Sequence, residues 1–134
     1  MSDQSPLIKT LSAHADAVAA GSDATVALFR APFDGTVTSV TYAPDADITG
    51  ANTNTRTLSV VNKKQNGNGS TTVASLALVS GVNASDYDEK AITISATAAD
   101  LIVSEGDILA FASVHAASGL ADPGGLVSIT ISRD

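Results

Sequence analysis

The chain has 134 residues and contains neither cysteine nor tryptophan. The absence of cysteine excludes a disulfide framework, thiolate zinc ligands and a cysteine nucleophile. Aromatic residues make up only 4% of the chain, so few rings are available to stack on sugars or nucleobases. No apolar run approaches the roughly 20 residues that a membrane-spanning helix needs. The length is that of one domain with its own core.

Positive charge is also scarce. Fourteen acids against seven Lys and Arg give a formal net charge of −7. Such a chain repels nucleic-acid phosphates and anionic membranes, and we expect neither as a partner. The polar start at residues 1–6 lacks the basic region of a signal peptide, so we expect synthesis in the cytoplasm.

What the sequence does contain is short β-branched stretches with near period-two alternation, which is typical of half-buried strands. Seven of them are separated by turn signals rich in Gly, Asn and Asp. They are residues 24–31, 35–43, 57–62, 72–79, 91–95, 107–115 and 126–132. The pattern predicts an all-β fold with little helix: a single β-sandwich, jelly-roll-like, of seven or eight antiparallel strands with Greek-key connections.

The first 23 residues are harder to interpret. Residues 7–12 fit either an eighth strand at a sheet edge or an arm that reaches a neighbouring molecule. We therefore treat residues 1–23 as an N-terminal segment and residues 24–134 as the sandwich domain. Residues 12–20 and 95–102 fit either a short helix or a loop.

Catalytic residues are few. His14 and His115 are the only histidines, and no nucleophile elbow, zinc-protease motif or phosphate-binding loop occurs. We do not expect an enzyme or a bound cofactor.

The long polar stretch at residues 45–57 is open to three interpretations: a metal loop, a sugar-binding loop, or a plain connection between strands. Its oxygen-bearing side chains suit calcium, and the weak candidate ligands are Asp45, Asp47, Asn52 and Asn54. Their spacing does not match the twelve-residue helix–loop–helix pattern. Asn and Asp also stabilise turns through their own backbone.

Two turns resemble parts of a biotinyl or lipoyl carrier domain, one at residues 31–37 and one at 103–109. Such carriers present one lysine in a tight hairpin between hydrophobic residues. Here Lys63 and Lys64 lie in a Gly- and Asn-rich stretch, and general turn chemistry explains both segments.

An ordered set of segments resembles the capsid decoration, or cement, proteins of tailed bacteriophages. The set is APFDGTVTSVTYAP (31–44), DITGANTNTRTLSVVNK (47–63), VASLALVSG (73–81), VSEGDILAFASV (103–114) and HAASGLADPGGLVSITI (115–131). The resemblance implies a small β-sandwich that binds the outer surface of the mature capsid. It also implies a homotrimer that contacts the major capsid protein and stabilises the shell against DNA pressure, without nucleic acid or membrane as a partner.

Two groups of residues are candidates for these contacts. For the capsid we expect an N-terminal arm or added strand containing Leu7, Ile8 and Leu11. For the contact between subunits we expect the long loops, with Asn52, Asn54, Arg56, His115, Leu120 and Pro123. Arg56 is placed to pair with Asp45 or Asp47 of a neighbour. The alternative is a lectin-like jelly roll that binds carbohydrate on a host surface.

Overall fold

The computed structural model describes residues 7–134, which form nine β-strands and one 3-10 helix. The elements are β1 (Ile8–Ala15), β2 (Ala24–Arg30), β3 (Gly35–Pro44), β4 (Thr55–Asn62), β5 (Thr71–Ala77), β6 (Lys90–Ala91), the 3-10 helix (Ala98–Leu101), β7 (Ile102–Val103), β8 (Ile108–Ala116) and β9 (Gly125–Arg133).

The strands form two antiparallel sheets. The first sheet has the order β1-β9-β3-β6, with β7 also paired to β3, and the second has the order β2-β8-β4-β5. Except for the β4–β5 and β6–β7 connections, each step along the chain crosses from one sheet to the other. This wiring is a jelly roll, so the predicted all-β sandwich fold is confirmed.

Alternation of apolar and polar residues explains which side of each strand faces the core. In β9 the side chains of Val127, Ile129 and Ile131 are fully buried, whereas the residues between them reach the surface. In the middle of the sandwich the rings of Tyr42 and Phe111 stack with centroids 5.3 Å apart. The core therefore lies between the sheets, where inward residues from both meet.

The N-terminal segment is part of this sandwich. Strand β1 is the edge strand of the first sheet and pairs with β9 from Ile8 opposite Ser132 to Ala15 opposite Gly125. Leu11 is half-buried and packs against the core. The predicted boundary after residue 23 therefore falls in the loop between β1 and β2, and residues 1–6 of the predicted arm lie outside the described residues.

The two ambiguous stretches also have definite structures. Residues 12–15 continue β1, and residues 98–101 form a single 3-10 turn. Between β6 and β7 the chain leaves the first sheet and runs beside β5, where Ile94 bridges to Ala74. This detour covers the outer edge of β5, which removes an exposed sheet edge.

The two ends of the sandwich carry different loops and turns. The loop end consists of the β1–β2, β3–β4, β5–β6 and β8–β9 loops, which meet where β9 begins at Gly125 opposite Ala15 and Pro44. The terminal end carries Leu7, Asp134 and the β2–β3, β4–β5 and β7–β8 turns.

Candidate interaction surfaces

The charged side chains lie towards the two ends of the sandwich, and the outer face of the first sheet contains no Asp, Glu, Lys or Arg. At the loop end, eight acids and two bases give a formal charge of −6. The acids are Asp16, Asp23, Asp45, Asp47, Asp86, Asp88, Glu89 and Asp122, and the bases are Arg56 and Lys90. Towards the terminal end, acids and bases balance. The loop end is therefore strongly acidic.

The outer face of the first sheet is rich in hydroxyl groups, and we call it the hydroxyl face. Residues opposite each other on antiparallel strands point to the same side, so the pairing registers define it. Its members are Ile8, Thr10, Ser12 and His14 of β1, Leu126, Ser128, Thr130 and Ser132 of β9, Thr36, Thr38, Ser39, Thr41 and Ala43 of β3, and Ala91 and Ile102. None of them is Asp, Glu, Lys or Arg.

Hydroxyl groups bond to one another across the strands of this face. The Oγ1 atoms of Thr10 and Thr130 are 2.9 Å apart, and the Oγ atoms of Ser12 and Ser128 are 2.8 Å apart. Each such bond uses one hydroxyl hydrogen of the pair, so the other hydrogen and several lone pairs stay available. The face can therefore both donate and accept hydrogen bonds.

One corner of this face, at the terminal end, is apolar. Leu7 is 43% exposed, Ile8 63% and Ile102 52%. Ile8 and Ile102 lie in the same row but at opposite edges of the sheet, with Ser132 and Thr36 between them. Leu7 and Ile8 are neighbours at one corner, and we call these two residues the apolar corner. Large exposed apolar side chains grouped in this way are typical of interaction sites.

The outer face of the second sheet carries one charge, Arg30 of β2, which lies opposite Ile108 at the terminal end, and its other side chains are small. Its two central strands present Thr55, Thr57, Ser59 and Val61 of β4 and Ala110, Ala112, Val114 and Ala116 of β8. Val114 is the single large apolar residue among them that is well exposed, at 43%. This face supplies a matched surface for comparison with the hydroxyl face.

The structure brings most of the predicted subunit-contact residues together at the loop end. Asn52 and Asn54 are exposed in the β3–β4 loop, and the Asn54 side chain accepts a hydrogen bond from the backbone N–H of Ser118. Leu120 and Pro123 are half-buried in the β8–β9 loop. Leu120 packs against the core, which leaves less of it for a neighbour.

Arg56 does not suit the contact predicted for it, because its side chain is completely buried. Its guanidinium donates to the backbone carbonyls of Leu120, Ala19 and Ser22 at 2.6, 3.0 and 3.0 Å, and to the Ser113 hydroxyl at 3.0 Å. The predicted pairing with Asp45 or Asp47 of a neighbour is therefore replaced by contacts within the chain. Arg56 fastens the β1–β2 and β8–β9 loops to β4.

Asp122 completes this buried network, and sequence reasoning missed it. Its carboxylate accepts hydrogen bonds from the hydroxyls of Tyr42 and Ser113 and from the backbone N–H of Gly124. Burial and the bond to Asp122 raise the pKa of Tyr42 above its ordinary value. In the sequence, Asp122 stands before Pro and Gly and looks like an ordinary turn residue.

The candidate metal ligands bond to separate partners within the chain. Asp45 contacts the His14 ring at 2.8 Å, and Asp47 accepts the backbone N–H of Asp86 at 2.7 Å. Gly50 lies so close to the backbone of the β5–β6 loop that a Cβ there would be 1.9 Å from the carbonyl oxygen of Val79. The stretch at 45–54 is thus tied to its neighbouring loop. Across residues 7–134, no group of three or more His, Asp or Glu is arranged to hold a metal ion.

Both histidines bond to carboxylates at the loop end. His115 contacts Asp23 through its ring Nδ1 and its backbone N–H. These hydrogen bonds, the backbone one above all, hold the pKa of Asp23 below its ordinary value. The pair joins the end of β8 to the loop before β2.

Comparisons with known proteins are sparse. No protein-family model and no curated protein sequence matches the chain. One solved structure, titled "Structure of infectious bursal disease virus Gx strain", contains a similar chain with 14% sequence identity and a TM-score of 0.44. The match covers 98% of this chain and 33% of that one, so this chain spans about a third of its length. A likeness at this level carries no functional argument. No helix within residues 7–134 has the length and apolar content to span a bilayer.

Proposed function

We propose that this protein is a structural component of a tailed-bacteriophage virion. In this proposal it binds the outer surface of the mature capsid as a homotrimer and stabilises the shell against the pressure of packaged DNA. It is made in the host cytoplasm, it is not an enzyme, and its partners are the major capsid protein and copies of itself. The ordered segments that resemble decoration proteins support this, and the jelly-roll fold is compatible with it.

The observation that carries the proposal is the apolar corner. Fully burying a Leu or Ile side chain contributes about 1.5–3 kcal/mol, and Leu7 and Ile8 are about half exposed, so together they supply a modest contact per copy. A trimer engages the lattice at three places at once, and avidity multiplies such weak contacts. Leu7 and Ile8 keep the capsid-contact role predicted from the sequence. Leu11 is not part of the proposed contact, because it packs against the core.

The test is cosedimentation of the purified protein with empty expanded capsids. We expect the wild type to pellet with them and the double variant Leu7→Ser, Ile8→Ser to bind at least about tenfold more weakly. Val114→Ser is the matched control, because it removes an apolar side chain of similar exposure from the second sheet. It should bind like the wild type.

Two results would count against the proposal. A wild-type protein that stays in the supernatant with expanded capsids overturns the function itself. A double variant that binds as tightly as the wild type overturns the apolar corner as the contact and leaves the function standing.

One observation favours the alternative of carbohydrate binding. Tyr87 is 76% exposed in the β5–β6 loop and has a left-handed backbone with φ of 58°. Such backbone conformations are uncommon outside glycine and occur often at binding sites, and an exposed ring can stack on a sugar. Binding on a glycan array that is lost in Tyr87→Ala would support this alternative, and an array without signal would remove it.

A further inference from the structure

We infer that the hydroxyl face is the surface through which one copy of this chain contacts a second copy. The inference rests on the proposed function for the expectation that copies associate, and it names the surface that joins them. Because the same face meets itself, the contact is two-fold and joins copies in pairs, so it is distinct from the three-fold contacts of the proposed trimer.

The first step is electrostatic. Each copy carries a formal charge of −6 at its loop end, so a contact between loop ends gathers many like charges within a Debye length of about 8–10 Å. Like charges brought together at an interface oppose association by several kcal/mol. A basic partner would be drawn to the loop end, whereas an identical acidic copy is repelled from it. The hydroxyl face brings no carboxylate against another.

The second step is chemical self-complementarity. A contact between two identical surfaces requires groups that can form hydrogen bonds with groups of the same type. Carboxylates accept only and ammonium groups donate only, whereas Ser and Thr hydroxyls do both. The rows centred on Ser128 and Thr130 therefore find donors and acceptors on an identical row. Protein interfaces typically have few charged residues at the centre and more at the rim. On this face the His14–Asp45 pair and the carboxylate of Asp134 lie at the rim.

The third step is area. The three long strands of this face, β1, β9 and β3, are about 4.8 Å apart, and eight residues of about 3.3 Å rise on each cover roughly 380 Å². Two copies would bury about 760 Å² in total, which is below the roughly 1,000 Å² of a stable specific interface. The association is therefore expected to be weak and concentration-dependent in solution. Holding many copies on one capsid would strengthen it.

The hydroxyl face suits this contact better than the outer face of the second sheet, which carries Arg30. On the hydroxyl face, Leu126 near the loop end of β9 is 45% exposed, and rows of hydroxyl groups run across three neighbouring strands. On the second sheet, Ala110 is 3% exposed, so less of that face is available to a partner. Ile8 belongs both to the hydroxyl face and to the proposed capsid contact, so it is left out of the test.

Sedimentation velocity across a wide range of protein concentrations tests the inference, with Thr130→Glu as the variant. Thr130 lies in the middle of β9 between Thr10 and Ser39. Ser59→Glu is the matched control, because Ser59 has the same place on the second sheet, between Ala112 and Ser75. We expect the wild type and Ser59→Glu to associate. Thr130→Glu should remain at the monomer mass of 13.4 kDa up to at least about tenfold higher concentration.

Thermal melting shows whether each variant is folded, and Ser39→Glu, at an exposed position on the same face, serves if Thr130→Glu does not fold. The inference is overturned if the wild type stays monomeric throughout, or if Ser59→Glu dissociates while Thr130→Glu does not. These outcomes are separate from the fate of the proposed function. Dimers that dissociate in Thr130→Glu support the face and contradict the trimer, and association without capsid binding supports the face and contradicts the virion role.

Discussion

The loop end and the hydroxyl face use their polar groups in opposite ways. The loop end combines an acidic exterior with a buried network of Arg56, Ser113, Asp122 and Tyr42. The hydroxyl face has no Asp, Glu, Lys or Arg, and its hydrogen bonds are pairs between neighbouring strands, such as Thr10 with Thr130 and Ser12 with Ser128. At the loop end, buried hydrogen bonds hold the loops in place. On the hydroxyl face, the hydroxyl groups remain available at the surface. This chain therefore keeps the polar groups that stabilise the fold apart from those that can contact a partner.

The largest expected effect comes from removing the centre of the loop-end network. Arg56→Met removes a donor from three backbone carbonyls, of which Ala19 keeps the N–H of Ser22, and leaves Asp122 without a nearby buried cation. We expect a loss of about 3 kcal/mol or more in the free energy of unfolding, measured by urea denaturation. Arg30→Met, at an exposed arginine of β2, is the control and should change stability by less than about 0.5 kcal/mol.

A wild-type midpoint in Arg56→Met would show that the guanidinium does not hold the loops. Arg56 is buried on β4 of the second sheet, whereas the hydroxyl face is the outer surface of the first sheet. A folded Arg56→Met should therefore keep the concentration-dependent association of the wild type.

A smaller effect is expected from a single hydroxyl. Tyr42→Phe keeps the ring on Phe111 and deletes only the bond to Asp122, which retains Ser113 and Gly124 as donors. We expect a loss of about 1–3 kcal/mol, measured by thermal and urea melts. Tyr87→Phe makes the same change at a ring that is 76% exposed, and it should alter stability little. Equal melting of the two variants would contradict the account of the network.

These buried groups mark the limit of what the sequence predicts. Alternation in β9 predicts Val127, Ile129 and Ile131 as core because a strand presents every second residue to one side. No such period identifies Arg56, since an arginine in a strand is normally exposed. Its burial depends on carbonyls from two loops far away in the chain. Similarly, residues 7–12 read equally well as an arm or an edge strand, and only pairing with β9 separates the two.

The smallest effect concerns pH and the exterior of the loop end. The folded state holds the pKa of Asp23 below its ordinary value of 3.8 through its bonds to His115. A carboxyl group whose pKa is lowered by folding stabilises the fold at pH values above its pKa in the unfolded chain. That contribution is lost as the pH falls through its pKa in the folded chain. Asp23→Asn should therefore lose melting temperature relative to wild type at pH 5–6, and the gap should close near pH 2.

Asp88→Asn removes another exposed loop-end carboxylate and is the control for the change in net charge. A gap between Asp23→Asn and the wild type that is constant with pH would contradict the assignment to the Asp23–His115 pair.

The most direct measurement of the central claim is a dilution series followed by backbone amide NMR shifts. If copies meet through the hydroxyl face, concentration-dependent shifts should cluster at Thr10, Ser12, Ser128, Thr130 and Thr41. Outward residues of the second sheet, such as Thr57 and Ser59, and the exposed loop-end residues Asn52 and Asp86 should not move. Shifts that cluster at the loop end or on the second sheet, with β1 and β9 unchanged, would contradict the account.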